Sequence, residues 1–565
     1  MKAENPSLSV DNPLLFMYYV INNLLCNYPF LFIFDDCRPV AVYHNKKGGI
    51  LVKKLLLLVL ALALILGVAH AEFPLVDEPT TLSIFCRTPA TYPDQDNSKV
   101  TCMIEYEKMT GVHIEWDSVP AAVCDDTLTS AISSGDYPGI IMKMRLAQTT
   151  ANQWGAEGIL VDLAPYLEEC CPNFTALMEQ YPDIRVAITN GEGQILGLPQ
   201  VVLAPAVRAN TKIYYNTKAM AAAGYTEFPT DLEGLKAYLE ALKETQYNVG
   251  LVASKDQLRN YFLGIYGLRN RGTHYDVVDV DPETGKPRIW AQSPRFRECL
   301  EYLHDLYENG LIYQELFTNG ADKVSAQSSK EELGVYISTA TYAITPQFMD
   351  DYAGVQFLLE GPYGDQIMSD IRSNLHSVNN FCLTDKCENI ELALRWVDYF
   401  YSEEGSRFFL LGVQDQDWEI KEDGSVYFTD AALATWLDTM SQDTFKAQFG
   451  MWPGGRVPAA FYDNLCGAEF DPIPRATAYA MLQYASDVIW PFFNWTIEEN
   501  DVIKTVESDI KSYIQNSFAQ AVTGDIEITD EWWDGFVAKI DEMNSAKLLE
   551  TYEAVLARVY PDGNY

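Results

Sequence analysis

Between Thr80 and Met142 short apolar runs alternate with longer amphipathic stretches, and this alternation constrains the fold more than any other feature of the chain. Thr80-Thr81-Leu82-Ser83-Ile84-Phe85 predicts a strand, Lys99 to Thr110 a helix, and Val112-His113-Ile114-Glu115-Trp116 a second strand. Ala121 to Ser134 predicts another helix and Gly139-Ile140-Ile141-Met142 a third strand. Strands separated by a full helix cannot pair through a tight turn, so they lie parallel while the helices cross over the sheet. The spacing predicts an α/β fold.

Later elements are marked by their ends. Thr230-Asp231-Leu232-Glu233 reads as a capping box opening a helix whose Leu232, Leu235, Leu239 and Leu242 share one face. Ser293-Pro294 opens a second helix, apolar at Phe296, Leu300, Leu303 and Leu306 and stopped at Gly310. A third is expected from Ile390 to Glu404, ended by Gly405. Asp276–Trp290 reads as a hairpin turning at Asp281-Pro282-Glu283-Thr284-Gly285. Its Asp276, Asp279, Asp281 and Glu283 read as solvated carboxylates, because Pro282 and the spacing do not suit a calcium loop. No internal repeat and no Pro/Ser linker occurs, so two lobes joined by crossing strands are expected rather than domains in series.

Ahead of these elements, Lys53-Lys54 precede the apolar run Leu55–Val68, and Ala69-His70-Ala71 follows it. Charge, apolar core and a small-x-small site in that order form a secretory signal peptide, residues 52–71, with cleavage expected after Ala71. Residues 1–51 are read as a start-site artefact. The codons of Lys47-Gly48-Gly49 can carry a ribosome-binding sequence, and Val52 can be encoded by an alternative start. The full sequence is strongly acidic, with 79 Asp+Glu against 40 Lys+Arg and a net charge of −39. Such a surface repels nucleic acid and anionic lipid, so neither is an expected partner. Nine cysteines follow residue 71, an odd and scattered set that is no disulfide framework and offers no paired zinc ligands.

Motifs for chemistry are missing. The sequence has no G-x-S-x-G elbow and no H-E-x-x-H, and His113, His274, His304 and His376 are widely dispersed, which argues against a metal. Gly285-Lys286 lacks the upstream glycine of a phosphate loop, and no dinucleotide fingerprint is present, so no cofactor is expected. Aromatics in turn-rich segments are the better lead: Trp452-Pro453-Gly454-Gly455-Arg456, Trp490 to Trp495 and Trp532-Trp533. Each tryptophan is either a plug at the edge of a core or a ring that stacks on a sugar face beside Arg, Asn and Asp.

Several segments, taken in order, resemble one family. They include Glu105-Tyr106-Glu107-Lys108-Met109-Thr110-Gly111-Val112, Ser134-Gly135-Asp136-Tyr137-Pro138, Gly158-Ile159-Leu160-Val161-Asp162-Leu163 and Tyr181-Pro182-Asp183-Ile184. Gly193-Gln194-Ile195-Leu196-Gly197-Leu198-Pro199, Leu306 to Ile312 and Arg395 to Gly405 follow. Over roughly residues 79–560 the chain resembles the family 1 extracellular solute-binding proteins of ABC importers, in particular the oligosaccharide-binding branch. Three departures stand out. No lipobox cysteine follows Ala71, Gly139 stands where relatives have Asp, and Thr245–Gly250 replaces a loop associated with calcium, so no metal is expected.

The resemblance implies an α/β, two-lobed, periplasmic-binding-protein-like (type II) fold with hinge-connected lobes. Lobe 1 is expected to comprise 72–202 with 377–451, and lobe 2 203–376 with 452–565. It also implies a monomer without catalytic residues, secreted or held at the extracellular face of the membrane, that delivers a carbohydrate to the permease subunits of an importer. The alternative is a secreted carbohydrate-active enzyme such as a glycosidase, which needs two opposed carboxyl groups. By position in such a fold, the ligand-binding candidates are Arg87, Asp94 and Asp96 after the first strand and Lys143 and Arg145 after the third. Arg208 beyond the crossover completes the set with Trp452 and Arg456 on the return.

Overall fold

The computed structural model describes residues 73–565 except 91, 319–331, 342, 343, 345, 423, 438, 439, 441, 452–454, 468 and 469. The expected leader, the export signal and Trp452 lie outside the described residues. The strands are β1 (Thr80–Arg87), β2 (Val112–Val119), β3 (Ile140–Met142), β4 (Leu198–Val202), β5 (Lys212–Asn216), β6 (Leu251–Val252) and β7 (Val278–Val280). They continue with β8 (Pro287–Ile289), β9 (Val335–Ser338), β10 (Tyr352–Gly354), β11 (Leu375–Leu383), β12 (Trp418–Ile420), β13 (Val426–Phe428) and β14 (Ala460–Phe461).

The alternation at the start of the chain folds as its spacing demands. β1 pairs in parallel with both β2 and β3, and the helices Thr101–Thr110 and Cys124–Ser134 make the crossovers. These strands belong to a six-stranded sheet in the order β14-β4-β11-β3-β1-β2. β11 enters antiparallel between β3 and β4, and every residue of β4 is buried. A second sheet, β10-β5-β9-β6, lies beyond the crossing. The molecule is thus α/β and two-lobed, with one sheet at the heart of each lobe.

Three segments run between the sheets and hydrogen-bond to one another. Val202 N donates to Asn374 O (2.8 Å) and Leu203 N to Phe461 O (2.9 Å), while Ala209 bridges Ile371. Arg208 Nε donates to Arg372 O (3.1 Å), and Arg372 Nη1 donates to Val207 O (3.2 Å). β14 pairs with β4, so the first sheet continues past residue 452. On this pairing we place the last crossing after Phe461 rather than at residue 452.

Several local expectations are corrected. Asp231, not Thr230, caps the helix Leu232–Lys243, its carboxylate accepting from Gly234 N. The segment expected as one helix from Ile390 to Glu404 is two, Ile390–Asp398 and Glu403–Leu411, because Ser402 caps the second by accepting from Gly405 N. The hairpin is present as β7 and β8, and Glu283 is exposed as expected and Asp281 partly so, but Asp276 and Asp279 are not solvated. Asp279 is fully buried against Arg288 (2.8 Å), and Asp276 pairs with Arg259 (2.9 Å), Arg269 (3.1 Å) and Lys511 (3.3 Å). The nine cysteines among the described residues are free thiols, eight of them buried. Among the described residues no helix is long and apolar enough to cross a membrane.

Close backbone approach fixes one part of the second lobe. In the helix Lys255–Ile265, a Cβ on Gly264 would lie 1.9 Å from Ile367 O. Gly264→Ala therefore forces the helix off the 361–369 segment, and overpacking of this kind costs about 1–3 kcal/mol. Urea unfolding should show a lower midpoint with an unchanged slope, and an unaltered midpoint would contradict the packing described.

Candidate ligand-binding cleft

Immediately after β3 the backbone takes an uncommon path. Lys143 (φ 63°) and Arg145 (φ 54°) are both left-handed, a conformation that costs a side chain with a Cβ about 1–2 kcal/mol. Asn379 (φ 51°) in β11 and Arg456 (φ 58°) on the return loop share it. Strain persists only where the surroundings over-determine it, and here they do. Lys143 N donates to Asn380 O (2.7 Å) and Leu146 N to Asn379 O (3.2 Å). The buried Lys143 Nζ donates to Met451 O (2.8 Å), drawing in the return loop, and Arg456 Nη1 donates to Met144 O (3.2 Å). Burial lowers the Lys143 pKa to about 8.

This path turns Lys143 inward and Arg145 outward. Arg145 and Arg456 border a cavity of about 400 Å³ with Asp125, Thr129, Thr150 and Trp154. Arg372 of the crossing, His376 of β11 and His274, which precedes β7, lie within electrostatic reach of Arg145. His274 Nε2 lies 2.9 Å from Ser373 Oγ, and its ring is 4.0 Å from that of Phe492. The second lobe presents an extended segment from Trp490 to Trp495 whose side chains alternate. Phe493 and Trp495 pack on Tyr275 and Tyr552, whereas Phe492 and Asn494 are half-buried. Asn152 Nδ2, from the helix Gln148–Ala156 of the first lobe, donates to Asn494 Oδ1 at 3.0 Å, so the two lobes meet here.

The electrostatics are those of crowded positive charge. Burial, then Arg372, lowers the Arg145 pKa, and burial, then Arg87 and Arg145, lowers that of Arg456. Burial, then Arg372, Arg145 and Arg456, holds His376 down at about 3. Burial, then Arg372, His376, Arg145 and Arg269, does the same to His274. Among the described residues Arg87, Arg145 and Arg456 have no carboxylate in ion-pair contact.

The candidates from sequence separate into groups. Arg87, Lys143, Arg145 and Arg456 come together, Arg87 half-buried at the end of β1 and within electrostatic reach of Lys143 and Arg456. Lys143 is only 1 % exposed and holds the loop from behind. Arg208 is spent on the crossing latch. Asp94 and Asp96 sit apart, exposed in a shallow depression against β2. Asp96 caps the turn Asn97–Lys99 by accepting from Ser98 N (3.1 Å), and it pairs with Lys99 (2.9 Å). Trp490, Phe493 and Trp495 are core, as is Trp533. The sequence lead of Trp490 to Trp495 contained Phe492 and Asn494 but singled out neither, and it did not reach Arg372, His274, His376 or Asn152. The period-2 pattern of Trp490 to Trp495 and the basic, polar Arg372-Ser373-Asn374 just before a strand were the signals available.

A family model described as bacterial extracellular solute-binding protein matches residues 96–407. The chain belongs to this family. The fructooligosaccharide ABC transporter substrate-binding protein FusA of Streptococcus pneumoniae serotype 4 is 22% identical over 515 residues, covering 86% of this chain and 91% of that one. The structure of FusA with kestose is similar with a TM-score of 0.66, at 19% identity over 85% of this chain and 100% of that chain. An HMO-binding, ABC-transporter-associated solute-binding protein from Bifidobacterium longum infantis gives 0.69, at 17% identity over 86% and 99%. At these identities the structures show a common fold, the two-lobed one described above.

The two neutral imidazoles make this binding protein acid-sensitive. Above the unfolded pKa of about 6.5 neither state is protonated and His274 and His376 contribute nothing. As pH falls from there toward about 3, the unfolded chain gains protons that the folded rings refuse, so stability falls. The loss is at most about 1.4 kcal/mol per pH unit for each ring, and less where water reaches them. A His274→Gln/His376→Gln variant should lose less stability than the parent between pH 6.5 and 4.5 in urea titrations. Parallel losses in both proteins would contradict the assignment.

Proposed function

We propose that the protein captures an oligosaccharide between its lobes and, as a monomer outside the cell, delivers it to the permease subunits of an ABC importer. The observation that carries this reading is the meeting of Asn152 and Asn494 across the lobes at 3.0 Å, with Phe492 half-buried two residues before Asn494 and Arg145 bordering a cavity of the first lobe. Amides and guanidiniums bond sugar hydroxyls and ring substituents, while an aromatic face takes the apolar face of a sugar ring. Placing these groups on opposite lobes couples binding to hinge closure, which a permease can sense. Family membership and the named ligands of FusA and the HMO-binding protein support the same reading.

Within it, Arg145 and Arg456 contact the ligand, Arg87 lies behind them, and Lys143 and Arg208 shape the cleft without touching sugar. A glycosidase is disfavoured by the cavity's composition. Among the described residues lining it, Asp125 is the single carboxylate, and glycoside hydrolysis uses two. A ligand that binds only the folded state raises the melting temperature. Residues 72–565 should be melted with mono- and oligosaccharides, and the bound sugar recovered for mass spectrometry. At least one oligosaccharide should raise the melting temperature and return intact. A sugar returned cleaved, or no stabilisation by any oligosaccharide, would overturn the proposal.

A further inference from the structure

We infer that the transported solute is an acidic oligosaccharide, and that Arg145 and Arg456, backed by Arg372, read its carboxylate or sulfate group. The inference rests on the oligosaccharide reading above and narrows it to a substrate class.

Acids outnumber bases in this chain by 79 to 40. With so many carboxylates available, arginines elsewhere find one: Arg259 pairs with Asp276 (2.9 Å), Arg288 with Asp279 (2.8 Å) and Arg295 with Asp365 (2.6 Å). Arg475 pairs with Asp463 (2.7 Å) and Arg558 with Glu499 (2.6 Å). In the cleft the pattern reverses. Among the described residues Arg87, Arg145 and Arg456 have no carboxylate in ion-pair contact, although Asp125 borders the same cavity. Beyond burial, Arg87 and Arg145 lower the pKa of Arg456 against the pull of Asp125, and Arg372 lowers that of Arg145. Arg145 has no hydrogen bond either, so its fork of donors is free.

Holding like charges together is unfavourable, and the fold does it deliberately. Left-handed backbone at Arg145 and Arg456, the Lys143 tie to Met451 and the contact of Arg456 with Met144 O all serve to aim guanidiniums into one cavity. A planar guanidinium matches a carboxylate or sulfate through two parallel N–H···O bonds, and an anion entering here relieves the repulsion as well. A neutral sugar leaves that repulsion in place. The sequence's net negative charge disfavours an acidic ligand where acids predominate, so cationic side chains are needed to hold one.

A second feature points to a ligand at the same place. Gln200 is only 2 % exposed, and its Oε1 has no hydrogen-bond partner. It faces Gly455, where a Cβ would stand 3.8 Å from Gln200 Oε1 and 3.6 Å from His376 Nε2. His376 Nδ1 is also unpartnered. Buried polar atoms are normally bonded, so an acceptor left open next to a bare glycine and the cationic cavity suits a sugar hydroxyl.

Calorimetry on residues 72–565 at low and high salt tests the inference. The probes are a uronic-acid trisaccharide, its neutral hexose counterpart, a sulfated disaccharide and inorganic sulfate. One of the two acidic sugars should bind about ten-fold or more tighter than the neutral one, and more weakly at high salt. Which of the two binds separates carboxylate from sulfate. Arg145→Gln should lose about ten-fold for the acidic sugar and little for the neutral one, and Arg145→Lys should recover only part of it. Arg145 makes no bond in the fold, so both variants should melt as the parent does. Preference for the neutral sugar, or indifference to Arg145→Gln, overturns the acidic class and leaves the oligosaccharide reading standing. Inorganic sulfate binding as tightly as the acidic sugar reduces the site to a simple anion site and overturns the inference. Failure of every sugar overturns both.

Discussion

The strand-to-loop junction after β3 is the constraint on which the cleft depends. Lys143 and Arg145 sit in left-handed backbone, and only the bonds to Asn379 and Asn380 of β11 and to Met451 hold them there. Those partners come from two distant parts of the chain, so the junction forms only when β11 and the segment at Met451 have both reached β3. Folding of the first lobe and assembly of the cationic cavity are therefore one event. The same bonds explain why Lys143 is buried without a carboxylate. Its ammonium is held by a main-chain carbonyl, while Arg145 and Arg456, the latter tied to Met144 O, border the cavity.

The crossing segments join this chemistry to motion. Arg208 and Arg372 bond each other's backbone surroundings, and Arg372 also lies within electrostatic reach of Arg145 and His376. A hinge that carries a member of the charged cluster responds to what the cluster binds. An anion drawing Arg145 and Arg372 together pulls on the hinge itself, while Asn494 and Phe492 arrive from the opposite lobe. Binding and closure then favour each other, as linked equilibria must.

Much of the fold was legible because periodicity and helix ends are local. β1 to β3 and their two helices follow from apolar spacing alone, and the hairpin of β7 and β8 follows from its turn residues. Errors arose where one polar residue outbid its neighbour. Asp231 took the cap expected of Thr230, and Ser402 started a new helix inside one expected to continue. Part of the proposed site was open to the same reasoning, since Lys143, Arg145 and Arg456 lie in loops, and Arg87 at a strand end, that such a fold is expected to turn to its cleft. Asp94 and Asp96 occupy an equivalent stretch of chain, but a short turn captured Asp96. His274 and His376 are far apart in sequence and looked dispersed, and only the sheet's crossings bring them together. Tryptophans drew attention for their size, yet in Trp490 to Trp495 the large rings are core and the smaller Phe492 faces outward.

The central claim is that a strongly acidic chain keeps unpaired arginines in one cavity to hold an acidic sugar. A crystal structure of residues 72–565 soaked with a uronic-acid oligosaccharide tests it most directly. The account predicts the carboxylate on Arg145 and Arg456, with a ring near Phe492 and the lobes closed over it. A sugar seated instead in the depression of about 800 Å³ bordered by Tyr427, Trp436 and Tyr479, with the arginine cavity unchanged, would contradict it.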